Sequence, residues 1–195
     1  MGRSVLKASL PAAMLLVLGG CVSLGAKPPP TLFSLVPATL APAGAEASGH
    51  LTDAVIVEDP ATDMRLSVLR VPVQIDGANV AYLKDAQWVE RPSRQFGALL
   101  AETIRARSTR LVFSAREANV PGAVRVSGRL LDMGYDAPSQ SVVVRYDAIR
   151  TVGSDVTTKR FESVIPGVLP EPAAIGPALN QAANAVAGQV AVWVG

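Results

Sequence analysis

Between residues 124 and 165 apolar and polar side chains alternate three times over, and no other feature constrains the fold of this chain as strongly. Val124, Val126, Gly128 and Leu130 alternate with Arg125, Ser127 and Arg129. Val142, Val144 and Tyr146 alternate with Arg145 and Asp147, and Phe161 stands between Arg160 and Glu162. The runs 124–131, 142–149 and 156–165 therefore predict three strands, each with one buried and one wet face. The links at Pro138-Ser139 and Gly153-Ser154 are short, which predicts an antiparallel meander. Arg125, Arg129 and Arg145 fall on its wet face. A solvated sheet face is the default reading of that trio, and a partner-binding strip is the other.

The period changes on either side of the meander. Phe96, Leu99, Leu100, Thr103 and Ile104 recur at helical spacing, with Arg94, Gln95, Glu102 and Arg105 on or near the opposite side. Pro92 suits a first turn, where its missing N–H costs nothing, so a helix is expected over 92–107. A second stripe, Ile175, Leu179, Ala182, Val186, Val190 and Trp193, predicts a closing helix rich in alanine. Pro177 either confines that helix to the residues from there onward or kinks it near its start. Shorter branched runs predict further strands over 31–36, 54–57, 66–73, 80–83 and 111–114, with an Ala/Pro/Gly/Ser loop over 37–49. The expected fold class is α/β in the broad sense, an α+β domain: a mixed, largely antiparallel sheet with two main helices packed on one face.

The N-terminus carries a different kind of signal. Arg3 and Lys7 precede the apolar run 8–18, which is too short to span a bilayer and holds Pro11. Leu18, Gly19 and Gly20 then lead to Cys21, the only cysteine. This order resembles the bacterial lipobox, in which the cysteine becomes the lipidated N-terminus. Residues 1–20 are thus expected to be a signal peptide, and Cys21 the lipid attachment site. A plain secreted protein would need the small residues but no cysteine. Residues 21–30, with Lys27 and Pro28-Pro29-Pro30, read as a stiff tether, and residues 31–195 as a single domain. One acyl chain holds a protein weakly, whereas the several chains implied by a lipobox hold it firmly. Val22 follows the cysteine in place of the aspartate associated with inner-membrane retention, so the expected address is the periplasmic face of the outer membrane rather than the inner membrane.

Charge and composition exclude several function classes. The chain has 18 Lys+Arg against 16 Asp+Glu, and Arg3 and Lys7 leave with the signal, so the remainder is balanced despite a sequence pI of 8.9. Acids and bases are interspersed, with no basic element for a nucleic acid. One cysteine permits neither an intrachain disulfide nor a cysteine-based zinc site. His50, the lone histidine, lies in the loop rich in small residues, where a solvated side chain is the expected role and a catalytic triad the lesser one. Asp59/Asp63 and Asp132/Asp136 are carboxylate pairs in sequence, and turn or edge positions account for them better than a glycosidase cleft. With no phosphate loop or clustered metal ligands in the sequence, the expectation is no enzyme, no catalytic residues, no cofactor and no metal.

Tyr82 and Trp88 admit two roles. They can pack under the first helix, with Trp88 as a staple at its entrance, or they can anchor a partner as aromatic hot spots; the core role is the favoured one.

Taken in order, these segments resemble the ABC-type transport auxiliary lipoprotein component family, the lipoprotein partners of transport systems built around MCE domains. The resemblance runs over nearly all of 21–195. It rests on the aromatic strand Leu32-Phe33-Ser34-Leu35 and on the segment from Ala81-Tyr82-Leu83 through Gln87-Trp88 to Pro92 and the helix after it. The alanine-rich helix closing on Trp193 completes it. Phe33 stands where a tyrosine is commoner, and Gln87 where many members have an arginine. The resemblance implies a non-enzymatic, membrane-anchored periplasmic subunit working with an MCE-domain protein and an ABC permease and ATPase that move lipids or other hydrophobic molecules. Assembly into a homo-oligomeric ring is compatible with that role. The alternative is a structural or assembly lipoprotein of the outer membrane or cell wall; an aromatic content of 5% leaves few platforms for binding glycan.

Overall fold

The computed structural model describes Gly2, residues 31–117 and residues 123–195. The lipobox Leu18-Gly19-Gly20, Cys21 and the tether lie outside the described residues. The elements run β1 (Thr31–Phe33), a single 3-10 turn (Leu51–Asp53), β2 (Val55–Val57), β3 (Arg70–Gln74), β4 (Val80–Trp88) and α1 (Pro92–Arg107). They continue with β5 (Val112–Ser114), β6 (Val124–Asp136), β7 (Ser141–Val152), β8 (Asp155–Ile165) and α2 (Pro172–Val194).

One mixed sheet of eight strands is organised around β6. One edge of β6 takes β7 antiparallel along its length, from Arg125↔Thr151 to Asp136↔Ser141, and β7 takes β8 the same way. The other edge is shared. β2 pairs parallel with Val124–Val126, Ala61 bridges to Arg129, and β3 pairs parallel with Tyr135 and Asp136. Beyond β2 lies β5; beyond β3 lie β4 and then β1. The long ladders are antiparallel and the parallel ones short, as the period-two pattern predicts.

The two helices cover the same face. Tyr146 and Phe161 are register partners on β7 and β8, so their side chains share a face. Phe96 of α1 meets Tyr146 edge-on at 5.3 Å, and Trp193 of α2 meets Phe161 at 5.6 Å. Phe96, Leu99, Leu100 and Ile104 of α1 and Ile175, Leu179, Val186 and Val190 of α2 are buried in one continuous core with the sheet. Each such side chain contributes about 1.5–3 kcal/mol of burial free energy.

Two glycines permit the close approaches on β6. Gly128 has φ +148°, and a Cβ there would stand 2.0 Å from the Asp147 carbonyl oxygen. Its neighbour Ser127 accepts a 2.7 Å hydrogen bond from the buried Tyr146 hydroxyl. Burial pushes the Tyr146 phenol well above its ordinary pKa, with the Glu58 charge a further cause, so it remains a neutral donor. At Gly134 a Cβ would meet the Pro72 carbonyl oxygen at 2.4 Å, where β3 joins β6.

The structure corrects several expected boundaries. The run 66–73 becomes a strand only from Arg70. Asp63 takes Leu66 into a turn instead, accepting from the backbone N–H groups of Arg65 and Leu66 and, through its carbonyl, from Ser67 Oγ at 2.7 Å. The strand expected over 80–83 runs on to Trp88, with Asp85 at φ +56° interrupting its regularity. The first strand ends at Phe33 rather than Val36, because the N–H groups of Leu35 and Val36 are claimed by side chains of the helices. The closing helix begins at Pro172, five residues before Pro177. Pro177 and Ala173, one turn back, are both exposed, so the carbonyl left without a helical donor can face water.

Candidate docking surface

After β1 the chain forms a strap that crosses both helices, held by side chains rather than by a backbone ladder. The Leu35 N–H donates to Gln95 Oε1 at 2.8 Å, and Gln95 Nε2 donates to the Glu90 carbonyl at 2.8 Å. The Val36 N–H donates to Asn180 Oδ1 at 2.8 Å and the Ala38 N–H to Asn184 Oδ1 at 2.7 Å; Asn184 Nδ2 returns a bond to the Val36 carbonyl at 2.9 Å. Farther on, the Ala41 N–H donates to Glu102 Oε1 at 2.8 Å, and Arg105 donates to the other oxygen of the same carboxylate at 2.6 Å. The Ala41 N–H is the largest cause holding the Glu102 carboxyl below the usual range; burial opposes it and Arg105 adds to it. Phe33 docks the start of the strap, packing edge-on to Trp88 at 5.7 Å. A Cβ at position 176 would stand 2.9 Å from its ring, so Gly176 leaves room for it. The segment that follows the expected tether is therefore clamped across α1 and α2, with Val36 and Leu40 exposed on its outer side.

These four acceptors were missed by sequence reasoning. Asn180 and Asn184 lie one turn apart on α2, and Gln95 and Glu102 two turns apart on α1, beside the apolar stripes. Amide and carboxylate side chains at that spacing were the available signal, but nothing local says what they bind.

The two aromatic candidates separate. Trp88 is 1% exposed and belongs to the core, and its indole N–H has no hydrogen-bond partner among the described residues. Tyr82 is half-buried, opposite the buried Pro72, with the Arg70 guanidinium 3.8 Å over its ring. Of the two, Tyr82 is the one that reaches the surface.

On the face away from the helices, the meander and the turn before β3 carry an ion-pair lattice. Arg65 meets Asp63 at 2.9 Å and Asp132 at 3.5 Å; Arg145 bridges Asp132 and Glu162; Arg125 meets Glu58 at 2.7 Å; Arg160 meets Asp147 at 2.6 Å. Burial raises the Asp63 carboxyl, but its hydrogen bond to Arg65 and the charge of that residue outweigh this and hold it below the usual range. A cavity of about 570 Å³ beside this lattice is lined by Arg65, Leu66, Gln74, Asp132, Met133 and Arg145. Arg125 and Arg145 are thus neutralised within the domain, and Arg129 is the exposed cation of the trio.

The carboxylate pairs named above are engaged the same way. Asp59 pairs with Arg116, Asp63 with Arg65, Asp132 with Arg65 and Arg145, and Asp136 accepts from Ser139. Asp132 and Asp136 both line the cavity beside the lattice. His50 is exposed in its loop. Among the described residues no group of three or more His, Cys, Asp or Glu is placed to hold a metal, and no helix is long and apolar enough to cross a membrane.

Comparison with known proteins adds to this geometry. The sequence profile of the ABC-type transport auxiliary lipoprotein component family matches residues 35–191. No curated protein matches the chain in sequence. Among solved structures, the crystal structure of an uncharacterized protein superposes with a TM-score of 0.69 at 11% identity, covering 85% of this chain and 98% of its own. A protein of family DUF330 from Xanthomonas campestris superposes with a TM-score of 0.65 at 12% identity, covering 83% of this chain and 93% of its own. At such identities the likeness is one of fold.

Proposed function

The chain belongs to the ABC-type transport auxiliary lipoprotein components, and from that premise we propose that it is the lipid-anchored, non-enzymatic subunit of a transporter built around an MCE-domain protein. Membership in the family implies an envelope location and association with an ABC-type transporter. The finer reading is that Cys21 carries the lipid, that the domain stands on the periplasmic face of the outer membrane, and that it braces that end of a system moving lipids or other hydrophobic molecules.

The family match over 35–191 carries this reading. The strap supports it mechanically. A tether of about ten residues reaches at most about 35 Å when fully extended, and the chain that follows it is clamped to both helices rather than left loose. A pull on the anchor is then borne by the helix pair and the core beneath it. Asp59, Asp63 and Asp132 are engaged in structural ion pairs, which fits a subunit that binds and positions while ATP is hydrolysed elsewhere. Tyr82 under Arg70 is the aromatic we assign to partner contact.

The test is an affinity pull-down of the tagged full-length protein from detergent-solubilised envelopes, read by mass spectrometry. Recovery of an MCE-domain protein with a permease is the expected result. Recovery of cell-wall or outer-membrane assembly factors alone would sink the transport reading in favour of a structural lipoprotein. A Cys21→Ala chain that still fractionates with membranes would refute the anchor.

A further inference from the structure

The outer edge of β8 is a long strand edge left without a partner. Among the described residues β8 pairs with β7 alone, and that ladder runs from Val142↔Ile165 to Val152↔Asp155 with no register shift. The other sheet ends, β1 and β5, are three residues each, and β1 leaves residues 80–85 of β4 open, so among the described residues β8 offers the longest free strand edge. Such edges are ordinarily blunted by a proline, a bulge or charged side chains; β8 has no proline and no bulge, and its central charges are Lys159, Arg160 and Glu162.

Beside this edge, between β8 and α2, runs a groove of about 570 Å³ lined in part by Arg107, Lys159, Arg160, Phe161, Asn184 and Val192. No carboxylate lines it. Arg160 is held by Asp147, but among the described residues no acid pairs with Arg107 or Lys159. The Arg107 guanidinium lies over Gly188, and the Lys159 ammonium stands 5.1 Å above the Phe161 ring. Val192, 75% exposed, supplies an apolar wall. In a domain of balanced charge this is a local excess of cations beside an open strand edge.

We propose that β8 and this groove form the docking site for an extended, acidic segment of a partner protein, which adds a strand to the sheet and places its carboxylates against Arg107 and Lys159. The two observations select the occupant together. An acidic amphiphile could satisfy the cations and the apolar wall, but it would leave the backbone edge of β8 unpaired. A peptide strand satisfies both, with main-chain bonds giving affinity and alternate side chains giving specificity. A second copy of this chain is a poor occupant. The register with β7 puts Thr157, Lys159, Phe161, Ser163 and Ile165 on the groove side, so a copy pairing through β8 would bring another cation and no carboxylate.

The experiment is amide hydrogen exchange of the full-length protein in detergent micelles, with and without two ten-residue peptides, one alternating Val and Glu and the other Val and Lys. The expected result is slowing of β8 amide exchange by tenfold or more with the Val-Glu peptide and no change with the Val-Lys peptide. The charge-reversed variant, Arg107→Glu with Lys159→Glu, should reverse that preference while its circular dichroism stays native. A milder Arg107→Gln variant, which should weaken the Val-Glu effect, covers failure of the double variant to fold. Equal protection by both peptides, or by neither, overturns the proposal. So does protection by phosphatidylglycerol vesicles alone, which would mark a lipid site, or a β8 already protected in a self-associated protein. None of these outcomes depends on an MCE partner, so this site and the transport role fail separately.

Discussion

The two halves of the sheet are built on different principles. From β6 to β8 the chain folds back on itself twice through tight turns, and its ladders run for eleven residues or so without needing anything distant in sequence. From β1 to β5 the strands are mostly short and reach partners far along the chain: β1 pairs with β4, β2 with β5 and β6, and β3 with β6. The first half is held to the second by close backbone contacts and by side chains that grip backbone, as in the strap. A local meander is thus stabilised by pattern, whereas a split sheet edge is stabilised by fit. The difference teaches where each half will fail: the meander at a point that spoils its ladder, the stitched half at individual contacts.

The largest expected effect falls on the meander. Gly128→Ala puts a Cβ 2.0 Å from the Asp147 carbonyl at a φ of +148°, and only backbone movement relieves it. A loss of about 4 kcal/mol or more is expected, comparable to the whole stability of many domains, and urea unfolding of the purified protein measures it. Trp88→Ala tests the stitched half. Removing a fully buried ring at the end of β4 should cost about 3–5 kcal/mol by the same assay. If Trp88→Ala proves the milder by far, the stitched half is the more accommodating of the two.

Smaller effects probe the strap. Asn184→Ala removes both the acceptor for the Ala38 N–H and the donor to the Val36 carbonyl. It should weaken strap closure by about 1–2 kcal/mol, seen as faster exchange of the Ala38 amide and proteolysis within 34–49, with little change in global unfolding. The Glu102 contact carries a pH signature. Its carboxyl titrates below the usual glutamate range in the folded state, so the unfolded state binds the proton more readily. The contact is at full strength above the ordinary glutamate pKa and is lost as pH falls through the depressed folded value. Protection of the Ala41 amide should therefore hold through mild acid and drop only below the ordinary glutamate range, and Glu102→Gln should remove that dependence. Smallest of all, Arg160→Ala breaks a solvent-exposed pair with Asp147 on the outer sheet face and should leave the thermal midpoint unmoved. A clear drop would show that the ion-pair lattice holds the meander together rather than merely solvating it.

Legibility in the sequence follows the same division. The meander was readable because alternation such as Val142-Val144-Tyr146 is a property of neighbouring residues, and α1 matched its expected span of 92–107 because its stripe and Pro92 are local signals too. The strand over 66–73 failed because Leu66 looks like a strand residue until Asp63 is seen to fold it into a turn. Of the surface features, the Arg125–Arg129–Arg145 strip was visible, but the neutralisation of Arg125 by Glu58 and of Arg145 by Asp132 and Glu162 was not, since those partners come from just past β2 and from the strands on either side of β7. Gln95, Glu102, Asn180 and Asn184 gave no warning of their task, because a side-chain acceptor shows its use only when a distant backbone is laid against it.

By itself the sequence determined the class of domain, the meander, the two helices and the resemblance to a family, and it carries the expectation of an anchor at Cys21. Each is written in periodicity or in a contiguous motif. Only the tertiary structure decided how β6 divides its edge between β2 and β3, which arginines stay uncompensated, and that the chain after β1 is strapped across both helices. The split edge and the strap depend on groups brought together over sixty to nearly a hundred and fifty residues of chain, and the free energy of such contacts depends on a geometry that no short window of sequence contains.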